Sequence, residues 1–351
     1  MTYIAKPVAR HPKIRANAVG LTPRDYEGSM TTLCAGCGHD SVTAALIQAF
    51  WEIDLEPHRL AKLSGIGCSS KTPTYFVKDA HGFNAVHGRM PSIAAGANAA
   101  NRDLLYVGIS GDGDSLSIGL GQFCHAIRRN VNMLYVLENN GVYGLTKGQF
   151  SASADIGSTA KGGEVNVQGP IDAAALALTL GATFVARSFS GDKAQLVPIL
   201  KAGMKHEGFA FVDVISPCVT FNDHKGSTKS YAHTREHMHE VVHTDFVPLR
   251  SEITADYPEG AVKTVTMHDG SVVKLRKVDE EYDTSDRRAV IDFLAEAGAK
   301  GEIATGLLYL HEAGKDLHDF ENTVAEPLVD LPYADLCPGS AALDELQKEW
   351  R

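Results

Sequence analysis

"GDGDSLSIGLGQFCHAIRRNVNMLYVLENNGVYGLTKGQ", Gly111 to Gln149, decides how the rest of the chain is read. It follows "LLYVGIS" (residues 104–110), a β-rich apolar run, so Gly111-Asp112-Gly113 sits at the carboxyl end of a strand. An amphipathic run crosses back, and "VNMLYVLE" (131–138) is the next strand, ending in Asn139-Asn140. In a parallel sheet this order places Asp112 and Asn140 on one edge, on neighbouring strands. A carboxylate, an amide oxygen and a nearby backbone carbonyl are hard oxygen ligands. They suit magnesium, which usually takes its remaining ligands from phosphates and water. The glycines let a phosphate approach the backbone closely. A plain Gly-Asp-Gly turn is the simpler alternative. A calcium loop is not one, because Ser117 stands where such a loop needs glycine and Phe123 where it needs glutamate.

The same alternation extends from about Ala61 to Pro217. Candidate strands are "AKLSGIG", "FNAV", "ATFVARS" and "FAFVDVI"; candidate helices are "SIAAGANAAN", "LSIGLGQFCHAIRR", "IDAAALALTL" and "KAQLVPILKAGMKH". Near-continuous apolar strands separated by helices predict an α/β fold with a doubly wound parallel sheet. Its ligands would bind outside the carboxyl ends of the strands. "FSASADIGSTAKGGEVNVQGP" (150–170) is a long connection of the kind that is usually functional or mobile. After Asp223 the character changes. "AHTREHMHEVVH" reads as a solvated helix on which His239 and His243, but not His237, share a face. "VKTVTMHDGSVVKLRKV" reads as a hairpin turning at Asp269-Gly270, "SDRRAVIDFLAEAGAKG" as a charged helix, and the proline-rich "AEPLVDLPYADLCPGS" as an arm lying over a surface. The expected division is an N-terminal arm (1–24), a cofactor-binding domain (25–225) and a C-terminal extension with a β-hairpin and helices (226–351). No internal repeat or low-complexity tract is evident.

A chain of 351 residues can bury a substantial core. No apolar run reaches the roughly 18–20 residues that span a bilayer, and the start lacks an apolar signal region. A cytoplasmic protein is therefore expected, without membrane association. A net charge of −10 argues against nucleic acid as the main partner. It also means that an anionic cofactor needs a metal ion or oriented backbone donors.

Six cysteines in such a compartment should be reduced thiols. Cys34 and Cys37 form a C-x-x-C in "TTLCAGCGHD". Cys68 lies in "SGIGCSSKTP" and Cys218 in "VISPCVTFN", both at predicted strand ends on the cofactor edge. Four thiolates so gathered suit a cubane iron–sulfur cluster. Zinc also takes four thiolates, and unliganded thiols are the third reading. Cys124, on an amphipathic helix, and Cys337, in the tail, read as structural.

Gly-Asp-Gly, some 25 residues, then Asn-Asn resembles the thiamine diphosphate motif. That resemblance implies magnesium held by Asp112, Asn140 and the backbone of Val142. "GVYGLTKGQ", together with C-x-x-C-G, "GCSS" and a distant "SPC", resembles the β subunits of 2-oxoacid:ferredoxin oxidoreductases over residues 25 to 225. The family resemblance implies a 4Fe-4S cluster on Cys34, Cys37, Cys68 and Cys218. It implies cofactor contacts from Gly111, Gly113, Asp114, Asn139, Gly67 and Ser69, and from His87 and Gly88 of "HGRMP"; a packed or turn histidine is the alternative for His87. In that family thiamine diphosphate removes carbon dioxide from a 2-oxoacid, the acyl group goes to coenzyme A, and electrons leave singly through the cluster to ferredoxin. The glutamate that activates the cofactor's pyrimidine belongs to a larger α subunit. The resemblance therefore implies an (αβ)2 heterotetramer, with no catalytic residue assigned to this chain alone.

Lys71, after "GCSS", and Leu145, after "VYG", align with positions that face the substrate. Lysine can pair with a second substrate carboxylate and leucine offers an apolar wall, which favours 2-oxoglutarate and a succinyl-CoA product. Pyruvate or a branched-chain oxoacid is the alternative substrate, and a solvated surface lysine the alternative for Lys71. A non-oxidative thiamine decarboxylase or synthase would need no cysteine quartet. A zinc-stapled binding module would leave the Gly-Asp-Gly to Asn-Asn pairing unexplained.

Overall fold

Runs such as "MLYVLE" and "FAFVDVI" have no polar face, so they are stable only as strands covered on both sides. The computed structural model, which describes residues 14–247, 262–266, 272–277, 282–312 and 314–350, buries every residue of both. The strands, in chain order, are β1 (Leu60–Ser64), β2 (His81–Asn84), β3 (Leu105–Gly111), β4 (Met133–Asn139), a small pair β5 (Val142–Tyr143) and β6 (Gln149–Phe150), β7 (Phe184–Phe189), β8 (Phe209–Ile215), β9 (Met238–Val247), β10 (Val262–Thr266), β11 (Val272–Lys277) and β12 (Ile303–Leu310). The helices are α1 (Gly38–Glu52), α2 (Met90–Ala100), α3 (Leu120–Arg128), α4 (Ala173–Leu180), α5 (Lys193–Met204), α6 (Tyr231–His237), α7 (Arg287–Ala299), and the short α8 (Leu317–Glu321), α9 (Tyr333–Leu336) and α10 (Ser340–Lys348).

Ten strands form one sheet in the order β10-β11-β9-β12-β7-β8-β4-β3-β1-β2. From β2 to β7 all neighbours are parallel, as the sequence predicts. The chain runs from β1 outward to β2, then returns to lay β3 on the other side of β1. Strand order reverses there, and in open α/β sheets that is where ligands bind.

Beyond β7 the sheet becomes mixed: β12 is antiparallel to β7 and parallel to β9. The strands after residue 226 thus extend the same sheet. β10 and β11 pair antiparallel, Thr266 opposite Val272, as a hairpin should; the turn at Asp269-Gly270 lies outside the described residues.

The expectation of a helix through "HMHEVVH" is corrected. Helix α6 stops at His237, and His239 and His243 lie on β9. β-branched residues fit a strand, and β11 and β12 satisfy this one on both sides, outweighing its helical pattern. The helix expected over 116–129 is split. A π-helical turn (Gly113–Ile118) leads into α3, and the break at Gly119 lets its backbone pack against Gly88, where a Cβ would lie 2.8 Å from the Gly88 Cα.

Candidate functional site

Because β1, β3, β4 and β8 are parallel neighbours, their carboxyl ends deliver Cys68, Asp112, Asn140 and Cys218 to one edge. The register places Gly111 opposite Glu138 and Asn139 opposite Ile215. Helix α1 begins on the same edge: Gly38 N–H donates to Pro217 O at 3.1 Å. Glycine is required there, since a Cβ would lie 2.6 Å from Ser216 Oγ. That close approach joins the Cys34–Cys37 segment to the Cys218 segment.

Two adjoining cavities occupy the edge. The first, about 140 Å³, is lined by residues including Gly67, Ser69, His87, Asp112, Asp114 and Val142. Gly111, Gly113 and Asn140 also face it. Asp112 is buried, and four donors aim at it. Gly141 N–H and the Ser151 and Ser153 hydroxyls reach Oδ2 at 2.7, 2.6 and 2.6 Å, and Gly113 N–H reaches Oδ1 at 3.0 Å. Burial still raises its carboxyl above the usual range; a divalent cation beside it would reverse that balance. Asn140 Oδ1 accepts Val142 N–H at 3.0 Å, and its own carbonyl accepts from Asn222 Nδ2 at 2.7 Å. Asn139 is turned away from the cavity: Nδ2 donates to Asp213 at 3.0 Å and Oδ1 accepts from Ser153. Asp114 uses both oxygens on protein groups, with His87 Nδ1 at 2.5 Å and Gly88 N at 2.7 Å on one and Ser110 Oγ at 2.6 Å on the other. It therefore orients His87, whose other ring nitrogen is left for a ligand. Hard oxygens, close-approach glycines and a held histidine fit a magnesium-bound diphosphate.

The second cavity, about 250 Å³, is lined by all four expected thiols, Cys34, Cys37, Cys68 and Cys218, with Lys71 and Leu145 in its wall. A Cβ on Gly144 would lie 3.5 Å from Cys68 Sγ and 3.6 Å from Cys218 Sγ, so both sulfurs crowd one glycine. Cys34 N-terminal to the turn is exposed, Cys37 and Cys218 are buried, and Cys37 N–H closes the turn onto Cys34 O at 3.0 Å. Burial pushes the Cys37 thiol up to about 12, and burial with the nearby Cys218 raises Cys68. Among the described residues no three His, Cys, Asp or Glu side chains meet closely enough to hold one metal ion. A tetrahedral zinc would draw its thiolates to within roughly 4 Å of one another. Thiols spread around a cavity fit a larger group such as a cluster, whose positive iron would favour the thiolate forms. Cys124, on α3, and Cys337, on the exposed arm, line neither cavity.

The wall between the cavities was not legible in the sequence. His39, Cys68, Asn140, Gly144 and Leu145 line both. His39, fully buried, has Nδ1 at 2.6 Å from Ser216 Oγ and 3.4 Å from Glu138 Oε2, while Nε2 lies 3.5 Å from Asn140 Nδ2. An amide N–H faces Nε2, so Nδ1 carries the proton. Glu138 also accepts from Thr72 Oγ1 at 3.0 and 3.1 Å. Burial lowers His39 to about 4 and raises Glu138 well above the carboxylate range, so burial disfavours the charged form of each. Each member lies within a few residues of a thiol or a magnesium-type ligand. The signals available were the His39 that follows C-x-x-C-G and the serines of "FSASAD"; nothing local marked Glu138.

These features define a cofactor-binding α/β domain, and residues 65–214 match the family model "Thiamine pyrophosphate enzyme, C-terminal TPP binding domain". A 2-oxoacid:ferredoxin oxidoreductase subunit beta from Saccharolobus solfataricus is 41% identical over 211 residues, covering 60% of this chain and 67% of that protein. A 2-oxoglutarate oxidoreductase subunit KorB from Mycobacterium tuberculosis is 39% identical over 191 residues, 54% of this chain and 51% of that protein. Among solved structures, a 2-oxoglutarate:ferredoxin oxidoreductase from Magnetococcus marinus, with 2-oxoglutarate, coenzyme A and succinyl-CoA bound, superposes with a TM-score of 0.70 at 32% identity, over 88% of this chain and 91% of that one. The chain belongs to the β subunits of the 2-oxoacid:ferredoxin oxidoreductases.

Proposed function

We propose that this chain is the β subunit of a 2-oxoglutarate:ferredoxin oxidoreductase. The enzyme converts 2-oxoglutarate and coenzyme A to succinyl-CoA and carbon dioxide, and two electrons leave singly to ferredoxin; the reaction is reversible in principle. The observation that carries this reading is the shared wall. A cavity of hard oxygen ligands and a cavity of four thiols meet at Cys68, Asn140 and Gly144.

Thiamine diphosphate, when bound, supplies the electron sink that decarboxylation needs. Asp112, Asn140 and the Val142 carbonyl hold its magnesium, and His87, set by Asp114, meets the diphosphate. Cys34, Cys37, Cys68 and Cys218 hold a 4Fe-4S cluster against the same wall. Lys71, beside Leu145, receives the distal carboxylate of the substrate. The pyrimidine-activating glutamate comes from an α subunit, and the working assembly is (αβ)2. A cytoplasmic location belongs to the same reading, because a cluster needs thiols that are kept reduced.

The test is an anaerobic assay of the αβ complex with a panel of 2-oxoacids, coenzyme A and a one-electron acceptor. Preference for 2-oxoglutarate over pyruvate is expected. Turnover without coenzyme A or acceptor would point instead to a non-oxidative enzyme, and equal use of all oxoacids would remove Lys71 as a selector.

A further inference from the structure

The thiol cavity has exposed residues in its wall, among them Cys34, whose Sγ accepts from Thr220 Oγ1 at 3.3 Å. Val219 and Thr220 belong also to a third, solvent-open cavity that continues outward from it, between the 159–163 and 219–225 segments. Two exposed lysines, Lys161 and Lys225, line that continuation together with His224, and Lys147 stands on the thiol side. Among the described residues none of these three lysines is in an ion pair. The one carboxylate in the outer wall, Asp223, accepts the Tyr231 N–H at 3.0 Å, and the nearby Asp155 is neutralised by Lys229 at 3.0 Å. The chain as a whole carries a formal charge of −10. Three lysines thus stand beside the Cys34 side of the thiol cavity, with the exposed Glu164 the one acidic side chain of the 156–167 stretch.

A second observation concerns the loop beside this rim. Ile156, Val165 and Val167 are 65, 54 and 82% exposed. A Cβ on Gly162 or Gly163 would meet nothing within 4 Å. An open apolar loop beside unpaired cations has the make-up of a transient, charge-steered interface.

We infer that this rim, Lys161, Lys225 and Lys147 with the 156–167 loop, is the docking surface for an acidic protein that carries a one-electron centre. The inference rests on the reading of the four thiols as the ligands of a one-electron group. A negative carrier is repelled by most of this acidic chain. Within a screening length of about 8–10 Å the three unpaired lysines of the rim attract it, which guides its centre to the Cys34 side.

The test uses the αβ complex carrying Lys161→Glu and Lys225→Glu, assayed with an acidic 4Fe-4S ferredoxin and, separately, with methyl viologen. At low ionic strength the KM for ferredoxin should rise at least about tenfold, with kcat for methyl viologen within about twofold of wild type and the cluster absorbance unchanged. Salt near 0.5 M should erase the difference, and Lys161→Arg with Lys225→Arg should behave as wild type. An unchanged KM for ferredoxin overturns the docking surface. Parallel loss with both acceptors also overturns it, because the lysines would then act on the centre itself. A wild-type complex that reduces neither acceptor overturns the oxidative reading, and this inference with it.

Discussion

The two cavities that share His39 and Asn140 are built from opposite chemistry. One gathers carboxylate, amide and hydroxyl oxygens around glycine backbone, and its Asp112 already accepts from four protein donors. The other gathers sulfur with Lys71, Leu145 and Phe221, and its thiols make few hydrogen bonds. Hard oxygens select magnesium, which in turn binds phosphate; soft thiolates select iron–sulfur or zinc. The contrast teaches that one sheet edge can hold two incompatible ligand sets when they come from different strands. Here the magnesium-type ligands follow β3 and β4, and the thiols follow β1, β8 and the turn before α1.

The sharpest way to break the comparison is to remove one side only. Cys34→Ser with Cys37→Ser should abolish the absorbance near 400 nm and coenzyme A-dependent electron transfer, while thiamine diphosphate with magnesium still binds. Loss of both cofactors together would mean that the cavities are one site. Asp112→Asn should do the reverse, with activity down by more than about 100-fold through lost cofactor affinity and the cluster spectrum retained. Lys71 tests the boundary. Lys71→Ile should cut kcat/KM for 2-oxoglutarate by about 10 to 100-fold, the loss of one charge-assisted contact of about 1.5–3 kcal/mol. Pyruvate should be nearly unaffected, and equal losses would show that Lys71 does not read the distal carboxylate.

The smallest expected effect lies away from the site. Lys62, on β1, donates to Phe76 O and Val77 O at 2.7 and 2.8 Å, and burial lowers it to about 8. A lysine depressed on folding is bound to fewer protons in the native state than in the unfolded one between about pH 8 and 10.4, so its contribution to stability increases as pH rises through that window. Relative to Lys62→Met, the wild type should gain on the order of 1 kcal/mol between pH 8 and 10 in urea unfolding. A constant difference between the two would show that Lys62 titrates normally.

Much of the candidate site was legible because the residues that line its two cavities follow apolar strands, where pattern and spacing are local. Asp112, Asn140, Cys68 and Cys218 could be assigned to one edge once the sheet was read as parallel. Helix α1 and strand β12 carry no comparably local signal, and the pattern of β9 is that of a helix. α1 opens at a glycine with no side-chain cap to mark it, whereas β9 is a strand through its pairing with β11 and β12, which are distant in sequence.

The sequence by itself determined which oxygens and thiols are candidate ligands and that most of them follow parallel strands, because side-chain type and apolar period are written residue by residue. Only the tertiary structure decided that the two ligand sets share a wall. His39, Ser216, Glu138 and Thr72 come from four separate segments. Their contact depends on Gly38 meeting Pro217 and on β4 lying between β3 and β8. Buried polar groups must find partners wherever the fold brings them, and no local pattern records which partner that is.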